Sequence, residues 1–353
     1  MIRSPLTLAG LALALSACSA SDPQQQLSAD LTDGVLLPAY SAWHEANKQL
    51  DASADAFCSG SQDLTAARQA FLTTQSAWAG LQPLQVGPLA EGNRAWQVQF
   101  WPDKKNLVAR QVEALLTRTP QLTAANLDNA SVVVQGLTAY EYVLYDSSID
   151  LSDATTKARY CPLLQAIGEH QQALSAEVLG QWQAKDGMAA ELKAFPNARY
   201  AEAPEAVAEL LRAEVSALDG LKKKLGTPLG RQSKGVPQPY QAEAWRSQAS
   251  LAMLAASLAS AERIWLGAEQ NGVQRLLGDD QDALRQRINE AFADTRQRLA
   301  ALPRPLGELV SDDEGRSQLN ALYDSLNALH RLHEAELAKA LGIQLGFNAH
   351  DGD

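Results

Sequence analysis

The chain has 353 residues, of which 46% are hydrophobic, 20% are charged and 6% are aromatic. This is the composition of a globular protein that is long enough to bury a sizeable core. The formal net charge is −11, without a basic stripe, which argues against a nucleic acid as partner. Ala, Leu, Gln and Glu dominate the sequence, so we expect an all-α protein.

Residues 1–17 have the pattern of an export signal. Arg3 supplies a positive charge, and the apolar run that follows it, residues 6–15, is too short to cross a bilayer. We therefore predict that residues 1–17 are a signal peptide that is removed on export.

Residues 15–18, Leu-Ser-Ala-Cys, resemble the lipid-attachment motif of bacterial lipoproteins, in which the cysteine takes up a diacylglycerol. The alternative is an ordinary signal peptide followed by an incidental cysteine. Ser19 follows Cys18, and in Gram-negative lipoproteins a residue other than Asp at this place is associated with the outer membrane. The motif thus implies a protein that is exported, that contacts the membrane through a lipid on Cys18, and that faces the periplasm. Residues 18–30 would form a polar tether.

The first half of the mature chain, residues 31–197, is expected to form one helical bundle. Apolar residues at helical spacing predict helices over 31–57 and 63–81. An irregular stretch rich in Pro and Gly follows them. We expect Pro102 to begin the next helix, with Asp103 in its first turn.

The stretch of residues 129–145 predicts a mostly buried helix in which Glu141 is the only charged residue. Thr138 and Tyr145 lie on the same helix face as Glu141. An unpaired buried carboxylate is energetically costly, so Glu141 requires a cation, a set of hydrogen bonds or a proton.

Three explanations of Glu141 remain open. It ligates a metal together with residues from other parts of the chain, and His44 is a candidate second ligand because it lies in the same bundle. It pairs with Arg94, Arg110 or Lys104. Alternatively, it is a core acid that is hydrogen-bonded to Tyr and Thr hydroxyls.

A further predicted helix over residues 152–183 contains Cys161. Once Cys18 carries a lipid, Cys58 and Cys161 are the remaining cysteines, and two cysteines in an exported chain most often pair. We therefore predict a Cys58–Cys161 disulfide. The alternative is two separate buried thiols.

Residues 195–197, Phe-Pro-Asn, interrupt the helical pattern and mark a predicted domain boundary. Residues 198–353 then form a second antiparallel bundle, with four predicted helices over 204–225, 242–272, 280–302 and 316–340. On the last helix, His330, His333 and Glu334 have the spacing of a shared face. That face either ligates a metal or is solvated, and we favour the solvated face.

Several stretches resemble the imelysin-like family. Gly136 and Glu141 match the Gly and Glu of its Gly-x-His-x-x-Glu motif, and Thr138 stands where the family has His. Residues 93–103 give a longer match. Further similarity lies at Phe57-Cys58, at residues 160–162, and in the Leu-Gly-Phe-Asn and Asp-Gly-Asp stretches near the C-terminus. The resemblance implies two tandem helical bundles and covers nearly the whole mature chain.

The resemblance also implies a functional pocket around the motif. Its expected residues are Gly136, Thr138, Glu141, Tyr145, Arg94, Trp101 and Asp103. The aromatic residues of the stretch 93–103 form either a pocket wall or a packed loop. Because Thr is a poor metal ligand compared with His, we favour the two explanations of Glu141 that need no metal.

Family members are associated with bacterial iron uptake, and some were classed as metallopeptidases. This sequence lacks a His-Glu-x-x-His pair, a phosphate-binding glycine loop and a Gly-x-Ser-x-Gly elbow. We therefore expect a non-enzymatic binding component of iron or other metal acquisition, with a divalent metal or iron as the ligand. The alternatives are a metallopeptidase of the imelysin type and an adaptor lipoprotein that binds another envelope protein.

Overall fold

The computed structural model describes residues 22–345, which form helices joined by turns and contain no strand. This confirms the expected all-α class. The predicted signal peptide, Cys18 and the C-terminal motif residues 346–353 lie outside the described residues. Within residues 22–345, no helix combines the length and the apolar character needed to cross a membrane.

Ten α-helices belong to the first half of the chain. They are α1 (Pro23–Leu31), α2 (Leu37–Ser59), α3 (Leu64–Leu81), α4 (Arg94–Val98), α5 (Leu107–Arg118), α6 (Ala124–Asp128), α7 (Val132–Gln135), α8 (Leu137–Tyr145), α9 (Ala154–Gln183) and α10 (Met188–Glu191).

Six α-helices follow in the second half. They are α11 (Ala203–Gly226), α12 (Ser250–Leu266), α13 (Asp282–Ala300), α14 (Leu306–Leu309), α15 (Asp313–Arg331) and α16 (Ala338–Ala340). Two π-helical segments, Thr32–Leu36 and Leu332–Leu337, continue α1 and α15. Short 3₁₀ turns occupy Gln82–Leu84, Gly87–Leu89, Pro239–Gln241, Ala268–Gln270, Val273–Leu276 and Asp279–Gln281.

The chain between Pro23 and Leu31 is a helix and does not form the polar tether expected over residues 18–30. Asp22 caps α1 by accepting a hydrogen bond from the Gln24 N–H group. Leu27 and Leu31 are buried, and α1 packs against α11. These two buried apolar side chains, one turn apart, give α1 an apolar face that joins the core.

The first bundle is organised around α2, which packs against both α3 and α9. A disulfide between Cys58 and Cys161 joins the end of α2 to α9, with a Cα–Cα distance of 5.6 Å. The predicted pairing of these two cysteines is confirmed.

The second bundle consists of α11, α12, α13 and α15. In it, α11 packs against α12 and α15, and α13 packs against α15. Helix α12 also packs against α3 of the first half, and one continuous hydrophobic core includes residues from both halves. The division at residue 197 into two domains stays a prediction, because buried contacts cross it.

Three of the differences from the predicted helix boundaries have a clear local reason. Helix α5 begins at Leu107 instead of Pro102, because the Asp103 carboxylate accepts hydrogen bonds from the Leu107 and Val108 N–H groups and so marks its start. The predicted helix over 129–145 is divided at Gly136 into α7 and α8. Residues 242–249 form turns, with positive φ at Ala244 and Gln248, so α12 begins only at Ser250.

Candidate functional site

The candidate site begins where the chain divides at Gly136. A Cβ atom at this position would lie 2.2 Å from the Val98 carbonyl oxygen, so only glycine allows α4 and α8 to approach this closely. The Gln171 side-chain amide donates to the carbonyls of Gln97 (2.8 Å) and Gln135 (3.1 Å) and holds the two segments together. The first turn of α8 is thereby fixed against α4.

Glu141 lies on α8 and is 3% exposed. Its Oε1 accepts hydrogen bonds from the Ser247 N–H (2.9 Å) and Ser247 hydroxyl (2.7 Å) groups. Burial raises the pKa of the Glu141 carboxyl above its ordinary value, and the Ser247 hydrogen bonds and nearby Arg246 only partly oppose that shift. The motif carboxylate is therefore held by a residue of the second half.

Thr138 and Trp101 fix the loop that faces Glu141. The Thr138 hydroxyl donates to the Phe100 carbonyl oxygen at 3.0 Å. The Trp101 indole N–H donates to the Gln241 carbonyl oxygen, also at 3.0 Å. The hydroxyl that replaces the family imidazole is thus used in a hydrogen bond to the backbone.

Arg246 is the cation whose charge opposes the raised pKa of Glu141. Its side chain is 2% exposed, and its Nε and Nη2 donate to Asp146 (2.9 Å) and Asn106 (3.0 Å). The guanidinium also lies 4.4 Å from the ring centroid of Trp245. Burial alone would raise the pKa of Asp146, but hydrogen bonds from Ser148 and Arg246 bring it below its ordinary value.

A second buried ion pair lies at the same junction. Lys224 Nζ donates to Glu243 Oε1 and to Gln82 Oε1, each at 2.6 Å. Burial lowers the pKa of Lys224, while Glu243 acts in the opposite direction. Because Gln82 belongs to the first half, this pair links the two halves beside Trp101, whose ring centroid lies 5.8 Å from Nζ.

Two hollows adjoin these residues. A cavity of about 10 Å³ lies among Thr138, Glu141 and Arg246, and this is room for about one water molecule. Beside it is an open cleft of about 500 Å³ between residues 103–106 and 237–246. The two hollows share Asp103, Tyr240, Trp245 and Arg246 as walls.

The structure brings together four of the seven expected pocket residues around one hollow: Thr138, Glu141, Trp101 and Asp103. Gly136 lies against the Val98 backbone and positions α8. Tyr145 and Arg94 lie elsewhere. The Tyr145 hydroxyl donates to the Arg68 carbonyl oxygen at 3.2 Å, on the side of α3. Arg94 donates to the Pro88 carbonyl oxygen and pairs with Glu177 at 2.6 Å. Both side chains therefore serve packing within the first half.

The expected partners of Glu141 are also placed differently. His44 contacts Ser175 at 3.1 Å between α2 and α9, so it does not assist Glu141. Arg94, Arg110 and Lys104 form no ion pair with Glu141. Of the three explanations, the geometry matches the hydrogen-bonded core acid, with Ser247 as donor in place of Tyr or Thr. Across residues 22–345, no three His, Cys, Asp or Glu side chains lie close enough to share a metal ion.

The expectation of a solvated face at His330 and His333 is wrong. The two side chains are 4% and 1% exposed, because they continue the apolar face of α15 into the core. His333 Nε2 lies 3.5 Å from Glu214 Oε1, and His330 Nδ1 lies 3.3 Å from Lys222 Nζ. This pair of histidines belongs to the core of the second bundle.

Sequence reasoning missed the contribution of the second half to the site. Its members are Lys224, Glu243, Trp245, Arg246 and Ser247. The predicted helix over 242–272 concealed the last four of these residues, since a regular helix would have spread their side chains over several faces. One signal was available: a tryptophan, an arginine and a serine come shortly after the turn-rich residues 226–239.

Comparison with known proteins agrees with this architecture. The family model for imelysin, peptidase M75, matches residues 36–333, more than half of the chain. The crystal structure of an imelysin-like protein from Psychrobacter arcticum is similar, with a TM-score of 0.80 and 24% identity over 93% of this chain and 98% of that chain.

A second crystal structure, of a "putative iron-regulated protein A precursor" from Parabacteroides distasonis, has a TM-score of 0.74 and 14% identity over 93% of this chain and 97% of that chain. At these identities the two structures establish a shared fold alone. No curated protein matches the chain. The family model, which spans the motif helix and both bundles, shows that the chain belongs to the imelysin family.

Proposed function

We propose that this protein is a non-enzymatic binding component of bacterial iron acquisition, held in the cell envelope. Membership in the imelysin family supports this proposal, as does the fold shared with a protein whose printed name describes it as iron-regulated. The ligand site is the junction of the two halves, where Glu141, Arg246 and the adjoining cleft lie together.

The non-enzymatic part of the proposal rests on one observation. Ser247, which belongs to the second half, donates two hydrogen bonds to the Glu141 carboxylate. A metallopeptidase needs a metal with an open coordination position and a base placed beside it. Here the Thr138 hydroxyl bonds to Phe100, and the hollow next to Glu141 has room for about one water molecule. These residues serve to bind and orient, and no metal-ligand set stands beside them among residues 22–345.

The envelope location rests on the lipid-attachment motif that ends at Cys18. The substitution Cys18→Ser should abolish labelling with a radioactive or clickable fatty acid and should release the protein from the outer-membrane fraction. The parent protein serves as the control. A Cys18→Ser variant that fractionates with the outer membrane as the parent does would contradict the lipid anchor.

The iron role is tested by growth of the source bacterium on limiting iron. Deleting the gene should slow growth, and the wild-type gene should restore it, whereas Glu141→Ala and Ser247→Ala should not. Glu45→Gln, on an exposed carboxylate of α2, is the matched control and should restore growth. Immunoblots establish that all variants are present in equal amounts.

Two results would overturn the proposal. One is growth of the deletion strain at the wild-type rate on limiting iron. The other is chelator-sensitive cleavage of protein substrates by the purified protein that Glu141→Gln abolishes, which would establish the metallopeptidase alternative.

A further inference from the structure

The cleft beside the motif has an unusual lining for an acidic protein. Its walls carry Lys104, Lys105 and Arg246, together with the aromatic pair Tyr240 and Trp245. Tyr240 is 69% exposed, and its ring meets the Trp245 ring edge-on at a centroid distance of 5.0 Å. The whole chain has a formal charge of −11, so this concentration of cations is local.

The acids of the cleft are already engaged. Asp103 accepts hydrogen bonds from the first N–H groups of α5, and Asp146 is paired with Arg246 and bonded to Ser148. By contrast, neither Lys104 nor Lys105 forms an ion pair with any residue in the range 22–345. Arg246 Nη1 is a buried atom without a hydrogen-bond partner there, although the same guanidinium is paired with Asp146. The cleft therefore retains two lysine ammonium groups that its own acids do not pair with.

We propose that this cleft binds a small polycarboxylate anion, and that iron reaches the protein as an anionic complex with such carboxylates. The cations come from two segments of the wall, Lys104 and Lys105 from one and Arg246 from the other, which suits a ligand with several carboxylate arms better than a compact anion with one centre. The Tyr240–Trp245 pair supplies an apolar surface for the carbon skeleton.

The iron part of this inference rests on the proposed function, and it accounts for how the site works without the family histidine. A metal that arrives already coordinated by carboxylates needs no set of protein ligands. No such set exists among residues 22–345. The protein then recognises the charge and shape of the complex, and a hydroxyl at Thr138 suffices where an imidazole would otherwise be required.

The test is calorimetric titration of the purified protein with citrate, with ferric citrate and with inorganic phosphate. Citrate and ferric citrate should both bind, and phosphate should bind at least about tenfold more weakly. The double variant Lys104→Gln/Lys105→Gln should weaken both citrate titrations by roughly tenfold or more, because two charge-assisted contacts are lost. Both lysines are exposed, so the variant should keep the parental melting temperature.

The matched control is Lys48→Gln/Lys185→Gln, which removes the same charge from exposed positions outside the cleft and should leave all three titrations unchanged. Absence of citrate binding, or citrate binding that Lys104→Gln/Lys105→Gln does not weaken, would overturn the proposal. Phosphate binding as tight as citrate would overturn its carboxylate specificity.

The citrate and ferric citrate titrations also distinguish a free organic acid from an iron complex as the ligand. Binding of citrate without ferric citrate overturns the iron part and leaves a free organic acid as the ligand. If neither binds while the growth assay still shows an iron role, the inference about the cleft fails and the proposed function stands.

Discussion

Gly136 is the residue on which the shape of the site depends most directly. Its φ of −127° and ψ of −165° are open to any residue, so the requirement for glycine is spatial. A methyl group there would collide with the Val98 carbonyl oxygen. We predict that Gly136→Ala lowers the free energy of unfolding by roughly 1–3 kcal/mol, measured by urea denaturation.

The control for this substitution is Gly180→Ala. Gly180 lies inside α9, and an added Cβ meets no heavy atom within 4 Å, so the helix should gain up to about 1 kcal/mol. If both substitutions change stability alike, the close approach of α4 and α8 does not constrain Gly136.

At the residue scale, the sequence indicated that Glu141 is buried and needs a partner. It could not identify Ser247, which is 106 positions away. The predicted helix over 242–272 placed Ser247 in a regular turn of α-helix. A buried acid can be recognised from its apolar neighbours, but its partner depends on how distant segments meet. The substitution of Thr138 for the family His was visible directly.

Among the elements, α2 and α9 are joined by the Cys58–Cys161 disulfide across a separation of 103 residues. Closing a loop of this length limits the unfolded chain, so Cys58→Ala/Cys161→Ala should lower the free energy of unfolding by about 4 kcal/mol. Guanidinium denaturation of the variant and of the parent under oxidising conditions measures the difference. Equal midpoints would mean that the bundle gains no stability from the bond.

His333 lies in the π-helical segment that continues α15. Its titration should make the free energy of unfolding depend on pH. Burial lowers the pKa of His333 to about 4, while unfolding returns it to about 6.5. Between these values the unfolded chain binds the proton more tightly, so stability falls as pH drops from 6.5 to 4, by up to about 3 kcal/mol. His333→Leu removes this group.

The measurement is the melting temperature of both proteins across that pH range. Glu214, which faces His333, has the opposite effect on stability. Burial raises the pKa of Glu214, so the folded protein loses stability as the pH rises above the ordinary pKa of a glutamate. The difference between parent and His333→Leu isolates the histidine. The same slope below pH 6.5 in both proteins would contradict the assignment.

Helices of the long, strongly periodic stretches were predictable, whereas their ends and interruptions were not. The ends depended on Asp103 as a capping acid and on the collision that Gly136 avoids, and neither follows from hydrophobic periodicity. The burial of His330 and His333 was missed for a similar reason: spacing places two residues on one face but does not say which way that face turns.

For the whole molecule, the contact of α12 with α3 joins the two halves into one core. The Lys224 bond to Gln82 crosses the same junction. We predict that scanning calorimetry shows one unfolding transition, because neither half can unfold without exposing the apolar face of the other. Two resolved transitions would instead establish two independent domains divided near residue 197.

Composition alone predicted the all-α class, and the family motifs predicted the bundles. The packing of one bundle on the other could not be predicted, because both contacting faces are apolar helix faces like those inside each bundle. A sequence shows that a face is buried without showing which neighbour buries it.

The position of α1 has a consequence for orientation at a membrane surface. Ser28 of α1 donates to the Leu192 carbonyl oxygen in the segment that leads from α10 to α11, and Asp30 pairs with Arg275 in the 3₁₀ turn Val273–Leu276 that follows α12. The cleft lies at the opposite ends of these helices, beside Lys224 and Ser247, and the 24 residues of α11 span about 36 Å. Only three residues, 19–21, separate Cys18 from Asp22, a reach of at most about 14 Å. A lipid on Cys18 would therefore keep the start of α1 close to the bilayer, while the cleft lies at the other end of α11.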